Sequence, residues 1–408
     1  MSFLKKPLEI FNFSAFLQTQ ILMLPVLMYF YEENGLTTGD LFLFQGIFSI
    51  TALLFEIPAG YIGDIFPRRN VLIFSYGLFL ARLILWSFFG GYWIVLAGEI
   101  LYSLSKAFYS GVADGYVYDY LKSKQNTKKM LHGYGKLNFF MSIGTALASL
   151  IGAPLYKEFG FPVLIGIEIV LNTLAIGMLF MLPKVPSVHK KMNGFSAKYK
   201  ELFEIAKGTF QHTQLRPYIF YSGIMAATTM VFVWSFQPLM KAVHLPVALF
   251  GVIYFINHAF RAGAAILLPK TLAWCPLQKL GKITFVLYIL AFLFAVIMAQ
   301  GVPAYIGMLL LTFICMVIGF QLTFTLGHTS RLHTLVPSSI RSTVASVNNM
   351  VSRALAGIML ILFKFVFDDV SMTASFFIYM GLFCISLIPL IRLLRLPNVA
   401  PVTEPQPA

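Results

Sequence analysis

Long apolar runs recur along the whole chain, and they constrain its fold more than any other feature. The 408 residues are 58% hydrophobic and only 11% charged, whereas soluble domains carry roughly 25% charged residues. About 20 apolar residues are enough for an α-helix to cross the ~30 Å hydrocarbon core of a bilayer. A β-barrel would instead show alternating segments of about 10 residues. The sequence therefore predicts an all-α integral membrane protein.

Twelve apolar segments of this kind can be distinguished. They lie near residues 8–31, 40–63, 71–90, 92–120, 130–156, 161–182, 214–242, 246–271, 281–300, 303–331, 340–366 and 371–394. The longest polar stretch divides them into six and six. We therefore predict an amino-terminal bundle over residues 1–182, a linker over residues 183–213 and a carboxy-terminal bundle over residues 214–408.

The basic residues lie mainly in the connections between the apolar segments. The chain has a formal net charge of +14, which in a soluble protein would suggest a nucleic-acid partner. Here every second loop is basic, including the linker, and the intervening loops are poor in lysine and arginine. Basic loops stay on the cytoplasmic side of a membrane. We therefore predict cytoplasmic termini, a bacterial inner membrane location and no nucleic-acid partner.

The loop between the second and third segments has an unusual composition. It reads GYIGDIFPRRN and contains Gly60, Gly63, Asp64, Arg68 and Arg69 between two apolar runs. This pattern resembles the signature loop of the major facilitator superfamily (MFS), whose members include twelve-span secondary transporters. The stretches YVYDYLK, GKLNFFMSIGTALASLIGAPLY and RLHTLVPSSIRSTVASVNNMVSRALAG are similar to the same superfamily. The resemblance covers nearly the whole chain and implies an MFS fold, with two six-helix bundles related by pseudo-two-fold symmetry.

The resemblance also implies a role for this loop. In the superfamily the aspartate belongs to a charge relay that latches the two halves together when the protein is open to the outside. Carried over by position, the latch residues are Gly60, Asp64, Arg68, Arg69 and Asp119. The acceptor would lie at the start of the eleventh span, at residues 338–341. The alternative is that the two arginines only fix the topology.

Charged residues inside the apolar segments are the next candidates, because such groups are costly in hydrocarbon and usually functional. The predicted proton-coupling residues are Glu56, Glu99 and Asp114. Glu99 and Lys106 are seven residues apart and thus share one face of the fourth span. A structural pair or a shared water network remains an alternative for them. A structural role is favoured for Arg82 and Glu168, because the third and sixth spans are peripheral in the superfamily.

Basic and aromatic residues of the carboxy-terminal half form a second group. His258 and Arg261 share one face of the eighth span, and Arg353 lies in the eleventh. No acid in mid-span of this half matches the arginines, so they predict a site for a carboxylate or phosphate. Alternatively, they pair with Glu56 or Glu99. The full set of predicted substrate-binding residues is Lys106, Tyr221, Trp234, Gln237, His258, Arg261 and Arg353.

Three classes of function are compatible with these features. The chain contains no phosphate-binding loop of the form G-x-x-x-x-G-K-[ST], so transport would have to be driven by a gradient. We expect a monomeric antiporter, without cofactor or metal, that exports a small amphipathic compound such as a drug or siderophore in exchange for protons. The alternative is import of an anionic metabolite or metal chelate. A more remote alternative is a membrane enzyme or lipid scramblase. The nearest approach to an enzyme's metal-binding cluster is HTSRLH, with His328 and His333, but it contains no metal-binding carboxylate.

Overall fold

The computed structural model describes residues 6–125, 130–185, 204, 207–211, 213, 215–334, 336 and 341–395. Within these ranges the structure describes all side chains except those of residues 131, 268, 269, 272, 273, 328–334, 341–343 and 395. Within the described ranges all regular secondary structure is helical. The predicted all-α fold is confirmed.

Thirteen α-helices are numbered here in the described part of the chain. They are α1 (Pro7–Gln18), α2 (Leu27–Glu33), α3 (Thr38–Ile65), α4 (Arg68–Phe88), α5 (Tyr92–Ser123), α6 (Met130–Phe180), α7 (Leu215–Ala242), α8 (Phe250–Trp274), α9 (Leu277–Ala299), α10 (Ala304–Thr334), α11 (Arg341–Asp369), α12 (Met372–Cys384) and α13 (Leu387–Arg395).

Nine segments in the described ranges are long and apolar enough to cross a membrane. They include ten of the twelve predicted spans, because predicted spans five and six lie together in α6. That helix is kinked at Gly160, whose φ of 69° lies in the left-handed region that favours glycine. The fourth predicted span corresponds to α5, which is 32 residues long but carries Glu99, Lys106 and Asp114.

The first predicted span is not a continuous helix. It is divided into α1 and α2, with only a short 3₁₀ turn, Leu24–Val26, between them. The 12 residues of α1 rise about 18 Å, which is less than the thickness of the hydrocarbon core. The twelfth predicted span is also divided, between α12 and α13.

Residues of α6 pack against the break in the first span. The backbone N–H of Met23 donates to Glu168 Oε1 at 2.9 Å, and Glu168 is only 2% exposed. A Cβ at Gly152 would lie 2.0 Å from the carbonyl oxygen of Leu22. The break therefore depends on α6 for a hydrogen-bond acceptor and for space.

The chain separates into two compact units. One comprises Met1–Met192 with Pro246–Phe255, and the other comprises Asn193–Leu245 with Ile256–Ala408. In the first unit α5 packs against α3 and α4, and α6 packs against α1. In the second unit α7 packs against α11, and α9 packs against α10 and α12.

Candidate functional site

The loop between α3 and α4 brings three charged side chains together. Arg68 is the first residue of α4, and its Nε donates to Asp119 Oδ2 of α5 at 2.5 Å. Another guanidinium nitrogen lies 4.0 Å from Asp64 Oδ1. The side chains of Arg68 and Asp119 are 19% and 6% exposed, whereas that of Asp64 is 42% exposed. Asp119 is therefore the closer and more buried partner of Arg68.

Two glycines leave space for side chains of neighbouring helices at this loop. A Cβ at Gly115 would lie 2.1 Å from a guanidinium nitrogen of Arg68, and one at Gly63 would lie 2.5 Å from the Val112 side chain. A larger residue at Gly63 would push against the Val112 side chain of α5, and one at Gly115 would displace the Arg68 guanidinium. Among the described residues, no atom outside the helix's own backbone lies within 4 Å of a Cβ built at Gly60, so packing against them does not explain that glycine.

Arg69 binds a different part of the unit. Its guanidinium donates to the carbonyl oxygen of Leu182 at 3.0 Å, just after the end of α6. Carbonyl groups at a helix end lack partners within the helix, so Arg69 satisfies one of them. The predicted acceptor of the relay lies outside the described residues at positions 338–340, and the side chain of Arg341 is also outside them.

A second charged cluster lies inside the amino-terminal unit. Arg82 of α4 and Glu99 of α5 form an ion pair at 3.1 Å, with side chains 3% and 1% exposed. Gln45 Nε2 donates to the other carboxylate oxygen of Glu99 at 3.3 Å. The guanidinium carbon lies 4.0 Å from the ring centroid of Trp86 and 4.5 Å from that of Tyr102. The pair is thus enclosed by aromatic rings and shielded from solvent.

This geometry differs from the sequence-based expectation for the fourth span. The described ion pair of Glu99 is with Arg82 and not with Lys106, whose Nζ lies 5.2 Å from the Tyr102 ring centroid. Arg82 therefore directly contacts a predicted proton-coupling residue. The signal was present in the sequence, since Arg82 lies six residues before the end of α4 and Glu99 seven residues after the start of α5. Helices joined by a short turn place such positions at a similar depth.

The other two proton-coupling candidates have different environments. Glu56 is partly buried in α3, two residues before Pro58. Asp114 is exposed on α5. Of the three acids predicted to couple protons, Glu99 is the most buried.

The aromatic candidates on α7 differ in exposure. Tyr221 and Gln237 are fully buried, and Trp234 is partly exposed. The Tyr221 hydroxyl donates to the backbone carbonyl of Gly281 at 2.8 Å and thereby joins α7 to α9. In this conformation Tyr221 is a packing residue of the carboxy-terminal unit.

The basic candidates of this unit are partly exposed. His258 and Arg261 lie three residues apart on α8. Arg261 is within electrostatic range of Tyr288, whose hydroxyl lies 2.6 Å from Thr229 Oγ1. Arg353 is partly exposed on α11. A partly exposed guanidinium beside a histidine can bind an anionic group.

Acidic residues are almost absent from the sequence of this half. Between positions 214 and 395 only Asp368 and Asp369 are acidic. Asp368 Oδ2 accepts from Lys364 Nζ at 3.2 Å, one helical turn away. The carboxy-terminal half thus offers few acids that could neutralise its arginines. The side chains of His328 and His333, considered for an enzyme, lie outside the described part of the structure.

Comparison with known proteins identifies the family. The profile of the Major Facilitator Superfamily matches residues 8–360. The chain belongs to the Major Facilitator Superfamily. The resemblance inferred from the α3–α4 loop is thereby confirmed, and the protein is a multi-pass membrane transporter of the MFS kind.

Solved structures of other MFS transporters have the same fold. A mutant of the nucleoside transporter NupG aligns with a TM-score of 0.81 at 14% identity, covering 96% of this chain and 99% of that chain. The peptide transporter POT in complex with sulfate aligns with a TM-score of 0.72, also at 14% identity, covering 96% of this chain and 95% of that one. At these identities the similarity shows the fold alone.

A curated relative is similar over a shorter region. An uncharacterized transporter of Buchnera aphidicola subsp. Schizaphis graminum (strain Sg) is 30% identical over 172 residues. The match covers 39% of this chain and 40% of that relative. The similarity therefore extends over less than half of either protein.

Proposed function

We propose that this MFS transporter exports a small amphipathic organic compound, drug-like or siderophore-like, in exchange for protons. The observation that carries the proposal is the buried pair of Arg82 and Glu99. A carboxylate in a membrane-spanning helix is expensive unless it is paired, and such groups usually serve transport. Glu99 is both paired and chemically able to bind a proton.

The pair suggests how proton binding changes the protein. A proton on Glu99 removes its negative charge and weakens its attraction to Arg82. Ion pairing and protonation of Glu99 therefore compete, and each favours a different arrangement of α4 and α5. A ligand shifts a conformational equilibrium when it binds one arrangement better than the other, and in this mechanism the proton is that ligand.

The latch at the other end of the same helices supports a conformational role. Arg68 and Asp119 join α4 to α5 at the opposite end of these helices from Arg82 and Glu99. A change in the packing of α4 on α5 at one end is therefore transmitted along rigid helices to the other. This arrangement would couple proton binding to the latch.

Import of an anionic metabolite or metal chelate is the second candidate. The scarcity of acids in the sequence of the carboxy-terminal half favours it, because few carboxylates of this half compete with an anionic ligand for Arg261. A guanidinium binds carboxylate or phosphate through two parallel hydrogen bonds.

The proton-coupling proposal is tested in proteoliposomes. A thermal-shift screen of amphipathic compounds on the purified transporter first supplies a substrate. Glu99→Gln is then compared with Glu168→Gln, which removes another buried carboxylate of the same unit. We expect Glu99→Gln to abolish transport driven by a pH gradient while substrate exchange persists. Transport against the substrate gradient by Glu99→Gln at the wild-type level would contradict the proposal.

The substrate's charge and the direction of transport are tested separately. We expect Arg261→Gln to lower affinity at least ten-fold if the substrate is anionic, because a charged hydrogen-bond partner is lost. Lys282→Gln is the control, since it removes an exposed positive charge at the start of α9. Unchanged affinity in Arg261→Gln would exclude this residue from anion binding. Substrate accumulation in right-side-out and inside-out vesicles then distinguishes import from export.

A further inference from the structure

A groove in the carboxy-terminal unit is not explained by the transport mechanism. It lies between α7 and the last part of the chain, is also lined by Phe210 of the linker, and has a volume of about 630 Å³. Each wall is one stripe of side chains at helical spacing. The stripes are Arg216, Phe220 and Ile224 on one wall and Ile385, Ile388 and Arg392 on the other.

The two arginines lie at corresponding ends of the walls. Arg216 is one residue from the start of α7, and Arg392 is three residues from the end of α13. Both are exposed, and both line the same cavity. The charge pattern of the loops predicts that this end of the unit is cytoplasmic.

The rest of the groove is apolar and accessible. Phe220, Ile385 and Ile388 are 38%, 54% and 57% exposed. They belong to the segments Leu215–Ala242 and Met372–Leu394, which are apolar enough to span a membrane. Ile224 lies eight residues beyond Arg216 on α7, which corresponds to about 12 Å along the helix axis. The groove can therefore hold part of an acyl chain along α7, between Arg216 and Ile224.

The charge of the groove defines the headgroup that fits it. Neither Arg216 nor Arg392 has an ion-pair partner among the described residues. The two acids between positions 214 and 395, Asp368 and Asp369, precede the twelfth predicted span, whereas Arg392 lies near its end. Two exposed arginines with no ion-pair partner among the described residues attract a phosphate group, and guanidinium groups match its geometry.

We propose that this groove binds an anionic phospholipid. The lipid phosphate lies between Arg216 and Arg392, and an acyl chain follows Phe220 and Ile388 away from them. Basic pockets between membrane-spanning helices on the cytoplasmic side are suited to anionic lipid headgroups. The proposal is independent of which substrate the protein transports.

Native mass spectrometry of the full-length protein provides the test. Delipidated protein in detergent is titrated with dioleoyl-phosphatidylglycerol and, separately, with dioleoyl-phosphatidylcholine. We expect tighter binding of phosphatidylglycerol, weakened about five-fold by Arg216→Gln and about thirty-fold when Arg392→Gln is added. The matched control is again Lys282→Gln, which should bind like the wild type.

A second variant separates a lipid site from a simple anion site. Ile388→Trp keeps both arginines but fills the apolar part of the groove, so it should weaken phosphatidylglycerol binding. Competition by inorganic phosphate measures the charged end alone and should be unaffected by this variant. Equal affinity for the two lipids, or wild-type affinity in the double arginine variant, would overturn the proposal. Occupation of the groove by residues 186–203 would also overturn it, and crosslinking of Ile388→Cys to that segment would reveal this.

Discussion

Removal of Arg82 should destabilise the protein more than neutralisation of its partner Glu99. In Arg82→Leu the carboxylate of Glu99 stays buried, 1% exposed, with Gln45 as its described hydrogen-bond donor. Breaking a buried ion pair from one side costs about 3–5 kcal/mol, because the remaining charge is uncompensated. We expect Arg82→Leu to lower the free energy of unfolding by about that amount.

The aromatic rings around Arg82 should make the substitution of Glu99 less destabilising than that of Arg82. In Glu99→Gln the guanidinium of Arg82 still lies against Trp86 and Tyr102, at 4.0 and 4.5 Å from their ring centroids. A cation desolvated against aromatic faces gains about 2 kcal/mol. We therefore expect Glu99→Gln to cost about 1–3 kcal/mol, roughly 2 kcal/mol less than Arg82→Leu. The double variant should cost less than the sum of the two.

The assay is equilibrium unfolding in mixed micelles, with the detergent sodium dodecyl sulfate as denaturant. Asp114→Asn supplies the control, because this acid is exposed on the same helix as Glu99. Arg82→Leu and Asp114→Asn should be additive within about 0.5 kcal/mol. Additivity of Arg82→Leu with Glu99→Gln would show that the ion pair does not contribute. A larger cost for Glu99→Gln than for Arg82→Leu would refute the role given to the rings.

Two further predictions concern packing and the latch. Gly152→Ala should destabilise the protein by about 1–3 kcal/mol, because its Cβ would lie 2.0 Å from a backbone carbonyl oxygen at the break in the first span. Gly166→Ala should be harmless in the same unfolding assay, because its Cβ would have no described neighbour outside its own helix backbone within 4 Å. Asp119→Asn should increase cysteine labelling at the latch end of α4 and lower transport more than Asp64→Asn, because Asp119 is the closer and more buried partner of Arg68. Equal effects of the two latch variants would contradict this order.

Part of the candidate site could be predicted because sequence motifs indicated which residues lie close together. The loop motif and the family resemblance assigned Arg68 and Asp119 to one latch, and the structure pairs them. The role of Gly115 could not be predicted from a sequence motif. Its importance depends on the path of the Arg68 side chain, which crosses the space that a Cβ would occupy.

The break in the first span shows a different limit. Pro25 lies within the predicted first span, and proline lacks the N–H that a continuous helix requires. However, Pro58 lies inside α3 without ending it. A proline alone therefore does not distinguish a broken helix from a continuous one. The difference lies in tertiary partners such as Glu168, which accepts from the buried backbone N–H of Met23.

The hydrogen bond from Met23 to Glu168 constrains when the first predicted span can reach its final structure during synthesis. Met23 and Glu168 are separated by 145 positions, and ribosomes add about 5–20 residues per second. The first span therefore waits roughly 7–30 s for its acceptor to be synthesised. During that time the N–H of Met23 must use another acceptor, such as water or a carbonyl oxygen of the preceding turn. The first predicted span can therefore make the hydrogen bond at its break only after the sixth predicted span has been synthesised.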